Sequence, residues 1–387
     1  MHPPKRILPI IVGAQFLCTS LWFAGNAVME ALIEDFELAE TALSYLTSSV
    51  QFGFICGTLV FAFLAIADRF SPSRVFFLSA ILGATFNLGT IWEANSLLSL
   101  VFFRFMTGFF LAGIYPVGMK IAADYFKKGL GKSLGFLVGA LVFGTAFPHI
   151  LSGFFSTENW TQIITITSSL AVLGGGLIFF LVPDGPHRVP GKKLELKAAA
   201  NIFQSRGFRS AAFGYFGHMW ELYAFWAFVP FMLIYFQSIH PSSSFDISLW
   251  SFLIIGIGGL ACMLGGYIAK KQGTKLTAAR ALLLSLLCCI LCIFMFRLSS
   301  PYLFLAFLLF WGAVVVADSP LFSTLVADNA NPELKGSALT IVNCIGFAIS
   351  ILSIQLIGFL VNVIPVEYAF IFLAIGPLLG LIALKDS

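Results

Sequence analysis

Charge is what this chain has least of. Asp, Glu, Lys and Arg make up 10% of its 387 residues, against roughly 25% in a soluble domain. So few charged groups cannot cover a water-facing surface, which excludes a soluble globular protein. There is no G-x-x-x-x-G-K-[ST] loop, so ATP-driven work is excluded. No H-E-x-x-H, G-x-S-x-G or Cys/His zinc spacing occurs, so the chain is not read as an enzyme, and no cofactor or metal is expected. The seven cysteines, Cys18, Cys56, Cys262, Cys288, Cys289, Cys292 and Cys344, all lie in apolar stretches and read as small packable core residues. The net charge of +4 does not point to nucleic acid, because the basic residues sit in short loops between apolar segments.

What is abundant is apolar surface. The hydrophobic fraction is 59%, with 44 Phe, and the mean hydropathy is +0.96. A membrane helix needs about 20 mainly apolar residues. Windows of that length predict twelve: 7–29, 42–66, 75–92, 97–122, 133–154 and 161–182, then 208–236, 248–269, 277–297, 302–325, 337–361 and 366–384. The fold class is all-α integral membrane, with the lipid bilayer as solvent. The first segment is too long for a signal-peptide core and is expected to be retained.

Lys and Arg orient the spans. One set of loops carries Lys5, Arg6, Arg69, Arg74, Lys127, Lys128, Lys132, Arg188, Lys192, Lys193, Lys197, Arg206, Lys270, Lys271, Lys275, Lys335 and Lys385, and the other essentially only Arg297. The opposite side is acidic, with Glu30, Glu34, Asp35, Glu37, Glu40, Glu93, Glu158, Asp246 and Glu367. Both termini are therefore expected in the cytoplasm, and the chain reads as a bacterial inner-membrane protein. The sequon Asn159-Trp160-Thr161 is read as incidental.

The only long polar segment, 183–207, divides the spans into six and six: a bundle at 1–182, a linker, and a bundle at 208–387. The halves repeat. Pro116 and Pro320 are 204 residues apart, as are Asp124 and Asp328, each aspartate following an alanine and preceding a short basic loop. Six spans per half make the repeats parallel.

LAIADRFSPSR (64–74) resembles the loop motif of the major facilitator superfamily in Asp68, Arg69 and Arg74, with Leu64 and Ser71 where the motif has glycine. The second-half copy, GYIAKKQGTK (266–275), keeps Gly266 and Gly273 but has Lys270 for the aspartate. Arg104 and Gly108 resemble the family's Arg-x-x-x-Gly motif. Span 5, with Gly135, Gly139, Gly144 and Pro148, only partly resembles the Gly-Pro motif of the exporter branch. The resemblance covers the whole chain and implies two parallel six-helix bundles, alternating access, and a secondary transporter whose partners are a small solute and protons, acting as a monomer. It implies a gating role for Asp68, Arg69 and Arg74. Asp68 is expected to accept bonds from Arg69, Arg74 or a neighbouring helix.

Ionisable groups within spans mark function by default, because inserting one costs at least about 2.5 kcal/mol. They are Arg104, Lys120, Glu221 and Asp318, with His149 and His218. Glu221 is the deepest, and His218 lies three residues before it on the same face. Glu221 is expected to carry the coupled proton, with His218 tuning it. Asp318 shares a face with Trp311 and either joins the coupling or pairs with a basic neighbour. The resemblance favours Arg104 as a charge partner in the proton step, and Lys120 either binds an anion or snorkels. Gln15, Thr19, Trp22 and Asn26 form one polar stripe on span 1. The family plan puts spans 1, 4, 7 and 10 around a central cavity, so that stripe, with Tyr115, Lys120 and Trp311, is the expected substrate contact. The cations fit a small organic anion entering with protons. The aromatic share of 16% also fits a drug-like amphiphile leaving against protons. The incomplete exporter motif favours the anion.

Overall fold

The computed structural model describes residues 4, 6–126, 130–155, 159–188, 202–331 and 334–385, except the side chains of 130–132. Lys5, Lys127, Lys128, Glu158, Lys192, Lys193, Lys197 and the Lys132 side chain, used above for orientation, lie outside these.

Among the described residues all regular structure is helical. The spans are Ile7–Thr19 (span 1), Ala42–Phe63, Pro72–Ile91, Leu97–Tyr125, Ser133–Ser152, Trp160–Leu181 (span 6), Arg206–Ile239, Ile247–Gln272, Thr274–Arg297, Pro301–Asn329, Lys335–Val363 and Val366–Lys385 (span 12). The last eleven are long and apolar enough to cross a membrane. Leu98, Phe154, Phe180 and Tyr302 are exposed, as a lipid-facing surface requires.

Among the described residues, non-helical turns interrupt three spans. Span 4 divides into Leu97–Leu111 and Tyr115–Tyr125, and span 10 into Pro301–Ala317 and Ser319–Asn329. Pro116 and Pro320 each sit in the first turn of the second piece, where a missing N–H is no loss and the fixed φ suits a helix start. Span 1, expected as one helix over 7–29, instead stops at Thr19, and short helices Ala24–Ala27 and Met29–Asp35 follow. No proline or glycine lies in Ser20–Phe23; the cause is tertiary and is described below.

The chain forms two compact units, Met1–Leu194 and Glu195–Ser387, divided within the 183–207 segment. Each has the same backbone-to-backbone crossing. A methyl group on Gly108 in span 4 would lie 2.0 Å from the Val50 carbonyl oxygen of span 2, and one on Gly312 in span 10 would lie 2.0 Å from that of Ile254 in span 8. Only glycine allows this approach. Gly108 and Gly312 are 204 residues apart, as are Val50 and Ile254, so the repeat read from the prolines is also a repeat of contacts.

The two loop-motif copies turn differently. After span 2 the chain bends at Ala65, whose φ of 49° is left-handed, and then forms the short helix Ile66–Arg69. After span 8 it bends at Gly273, with φ 93°.

Candidate functional site

Span 7 buries Glu221 in the second unit, 1% exposed. Its Oε1 accepts from Ser285 Oγ at 2.5 Å and Cys289 Sγ at 3.3 Å, both on span 9, and from Trp311 Nε1 on span 10 at 2.5 Å. Among the described residues nothing donates to Oε2, and no Lys, Arg or His pairs with the carboxylate. Trp311 is fixed from its other face by Phe225, with ring centroids 4.6 Å apart. The tryptophan expected to contact substrate therefore serves here as a donor to Glu221.

His218 does not reach Glu221, as the shared face of span 7 had suggested. Its Nδ1 lies 2.8 Å from Asp318 Oδ1, and both side chains are 1% exposed. Asp318 is the single residue between the two pieces of span 10. The break swings its carboxylate toward span 7, whereas Glu221 points to spans 9 and 10. The unit thus holds two separate acidic centres: a carboxylate with three neutral donors, and an imidazole–carboxylate pair. His218 Nε2 and Asp318 Oδ2 have no hydrogen-bond partner among the described residues.

In the first unit Arg104, also 1% exposed, pairs with no carboxylate among the described residues. Nη1 donates to Asn87 Oδ1 at 2.8 Å, and Nη2 donates to the carbonyls of Leu21 at 3.0 Å and Trp22 at 2.6 Å. Those carbonyls belong to the gap in span 1. The guanidinium holds them, and this explains a helix break that no local residue demands. Asn87 carries the network on, donating to Ser168 Oγ at 2.9 Å.

The span 1 stripe faces its own unit. Thr19 Oγ1 donates to the Gln15 carbonyl at 2.8 Å, and Asn26 Nδ2 donates to Thr47 Oγ1 at 2.8 Å. Trp22 packs on Phe54 at 4.8 Å. Gln15 differs: it is fully buried, yet neither end of its carboxamide has a partner among the described residues. It lies against Gly118 of span 4, where an added methyl would come 2.4 Å from Oε1. Gln51 and the Nε2 of His149 are likewise buried without partners. Tyr115 is half-buried at the start of the second piece of span 4.

At the Lys/Arg-rich end of the first unit, the partner of Asp68 is Lys120, at 2.8 Å. Lys120 also lies 3.8 Å from Asp124. The lysine read as an anion ligand or snorkelling group is here paired with these two aspartates. Of the partners expected for Asp68, namely Arg69, Arg74 or a neighbouring helix, the two arginines are exposed and make no polar contact among the described residues. Span 2 ends in a left-handed turn that carries Asp68 toward span 4 instead. Arg188, just after span 6, donates to the Asp68 and Phe70 carbonyls at 3.1 and 2.7 Å and to Asp184 at 2.7 Å.

Sequence reasoning missed Ser285, Cys289 and Asn87. A faint signal existed: Ser285 is the one hydroxyl amid LLLSLLCC, and Asn87 is the one carboxamide in span 3.

The model for the Major Facilitator Superfamily matches residues 11–355. The chain is 22% identical to a bicyclomycin resistance protein homolog of Haemophilus influenzae, over 82% of this chain and 80% of that one. It is 23% identical to the probable galactarate/D-glucarate transporter GarP of Escherichia coli K12, over 94% and 89% respectively. Among solved structures, the inward-open xylose transporter XylE of E. coli superposes with a TM-score of 0.79 at 15% identity, covering 98% of this chain and 96% of that one. With a family match over most of its length and the same helical fold, the chain belongs to the Major Facilitator Superfamily of membrane transporters.

Proposed function

We propose that this chain is a secondary active transporter that carries a small organic anion across the membrane together with protons, by alternating access, as a monomer with both termini in the cytoplasm. The observation that carries the coupling is Glu221: a fully buried carboxylate with three neutral donors on one oxygen and no cation among the described residues. A buried charge without a partner costs several kcal/mol, so a proton is the natural neutralising partner. As an anion, Glu221 accepts all three bonds at Oε1. As an acid, it keeps them there and holds the proton at Oε2. The site can therefore change charge without rebuilding its contacts.

Arg104, read as a charge partner in the proton step, and Lys120, read as an anion ligand or snorkelling group, are bound within their own unit. Solute contacts are better assigned to buried polar groups without partners among the described residues: Gln15, Gln51 and His149. Such groups suit a polyhydroxy solute, and the likeness to a galactarate/D-glucarate transporter supports a sugar-acid class. The second reading, a proton-driven drug exporter, is supported by the likeness to the bicyclomycin resistance homolog.

One assay separates them. Proteoliposomes with an alkaline interior are offered radiolabelled glucarate while an internal dye reports pH. Glucarate accumulation with proton entry supports the anion symporter. No accumulation, together with proton movement on adding bicyclomycin, replaces it with the exporter.

A further inference from the structure

Arg69 and Arg74 are the residues of the loop motif that the Asp68–Lys120 pair does not use. With Arg188 they line a cleft of about 640 Å³ formed by the end of span 2, the start of span 3 and the end of span 6. One carboxylate, Asp184, also lines it. That group is already engaged, accepting from Ser71 Oγ at 2.6 Å and from Arg188 at 2.7 Å. Three guanidiniums against one carboxylate leave the cleft strongly cationic, and the Arg69 and Arg74 donors are available. Phe70, Phe179, Val182 and Pro183, with Ser71 and Ser73, complete the wall. Phe70 is 61% and Phe179 40% exposed, and Phe179 lies in the last turn of span 6. Beyond it, Phe180 and Leu181 are also exposed.

Cations and exposed rings in one cleft, at the ends of membrane spans, fit a molecule with an anionic head and apolar tails. We propose that this cleft binds the phosphate headgroup of an anionic membrane phospholipid, with its acyl chains running along span 6 beside Phe179. Arg69 and Arg74 supply charge-assisted donors whose forked geometry matches phosphate oxygens. In the orientation proposed above, the Lys/Arg-rich end faces the cytoplasmic leaflet, where anionic lipids attract such groups.

Native mass spectrometry tests this on the whole chain in dodecyl maltoside, titrated with phosphatidylglycerol. The expected result is one tightly held lipid, bound more strongly than phosphatidylcholine. Affinity should fall about thirty-fold in the R69Q/R74Q double variant and about five-fold in R74Q alone, which serves if the double variant misfolds. K270Q/K271Q removes two charges from the corresponding loop of the second unit and should leave affinity unchanged. Equal losses in both double variants would reduce the effect to general attraction and overturn the site. Equal binding of phosphatidylcholine, or displacement by millimolar inorganic phosphate, would overturn the lipid as occupant.

Discussion

Glu221 and Asp318 show how one unit can hold two ionisable centres, on spans 7 and 10, with different partners. Asp318 and His218 are each other's partner at 2.8 Å in a buried setting. Removing either leaves the other alone. Breaking a buried pair costs about 3–5 kcal/mol. His218→Ala and Asp318→Ala should therefore each lower the melting temperature in detergent sharply, and the double variant should lose less than the sum. Additive losses would show that the two groups do not interact. Arg104 makes a second prediction. Arg104→Leu leaves Asn87 Oδ1 and two main-chain carbonyls without their donor, and should destabilise by at least about 2 kcal/mol. Arg104→Lys should not rescue it, since an ammonium cannot present the same fork. The sequence marked Arg104, Glu221 and Asp318 as important because charge is so rare within spans. It could not reveal their partners: a carboxamide and the carbonyls of a distant helix break for Arg104, a hydroxyl, a thiol and an indole for Glu221, and an imidazole for Asp318.

At the scale of the element, breaks came from two sources. Those in spans 4 and 10 are written locally in Pro116 and Pro320 and could be read in advance. The break in span 1 is imposed from span 4 through Arg104, so helical periodicity ran straight through it. The turns offer clean tests. Ala65 sits at φ 49°, where a Cβ costs roughly 1–2 kcal/mol. Ala65→Gly should therefore stabilise by up to about 1 kcal/mol after the loss of chain entropy, read as a rise in melting temperature. Gly273→Ala should do the reverse, because its φ of 93° is strained for any side chain. Gly108→Ala would place a methyl 2.0 Å from a carbonyl oxygen. The resulting overpacking should cost about 1–3 kcal/mol or more, and Gly312→Ala should match it.

Across the whole molecule, one architecture is used twice with different charge. The glycine crossings, the prolines and the loop motifs repeat. The buried ionisable groups do not. Leu308 stands 204 residues after Arg104, and the second unit instead buries Glu221, Asp318 and His218. The first unit thus holds its own backbone with a buried guanidinium, while the second buries two carboxylates. In the proposed cycle Glu221 carries the coupled proton. The most direct test is Glu221→Gln in proteoliposomes, with glucarate uptake driven by a pH gradient compared with exchange between equal glucarate pools at uniform pH. Gln keeps an acceptor oxygen for Ser285, Cys289 and Trp311 but cannot lose a proton. Exchange should persist while gradient-driven accumulation falls at least tenfold, which corresponds to a coupling of about 1.4 kcal/mol. Unchanged gradient-driven accumulation in the variant would contradict it.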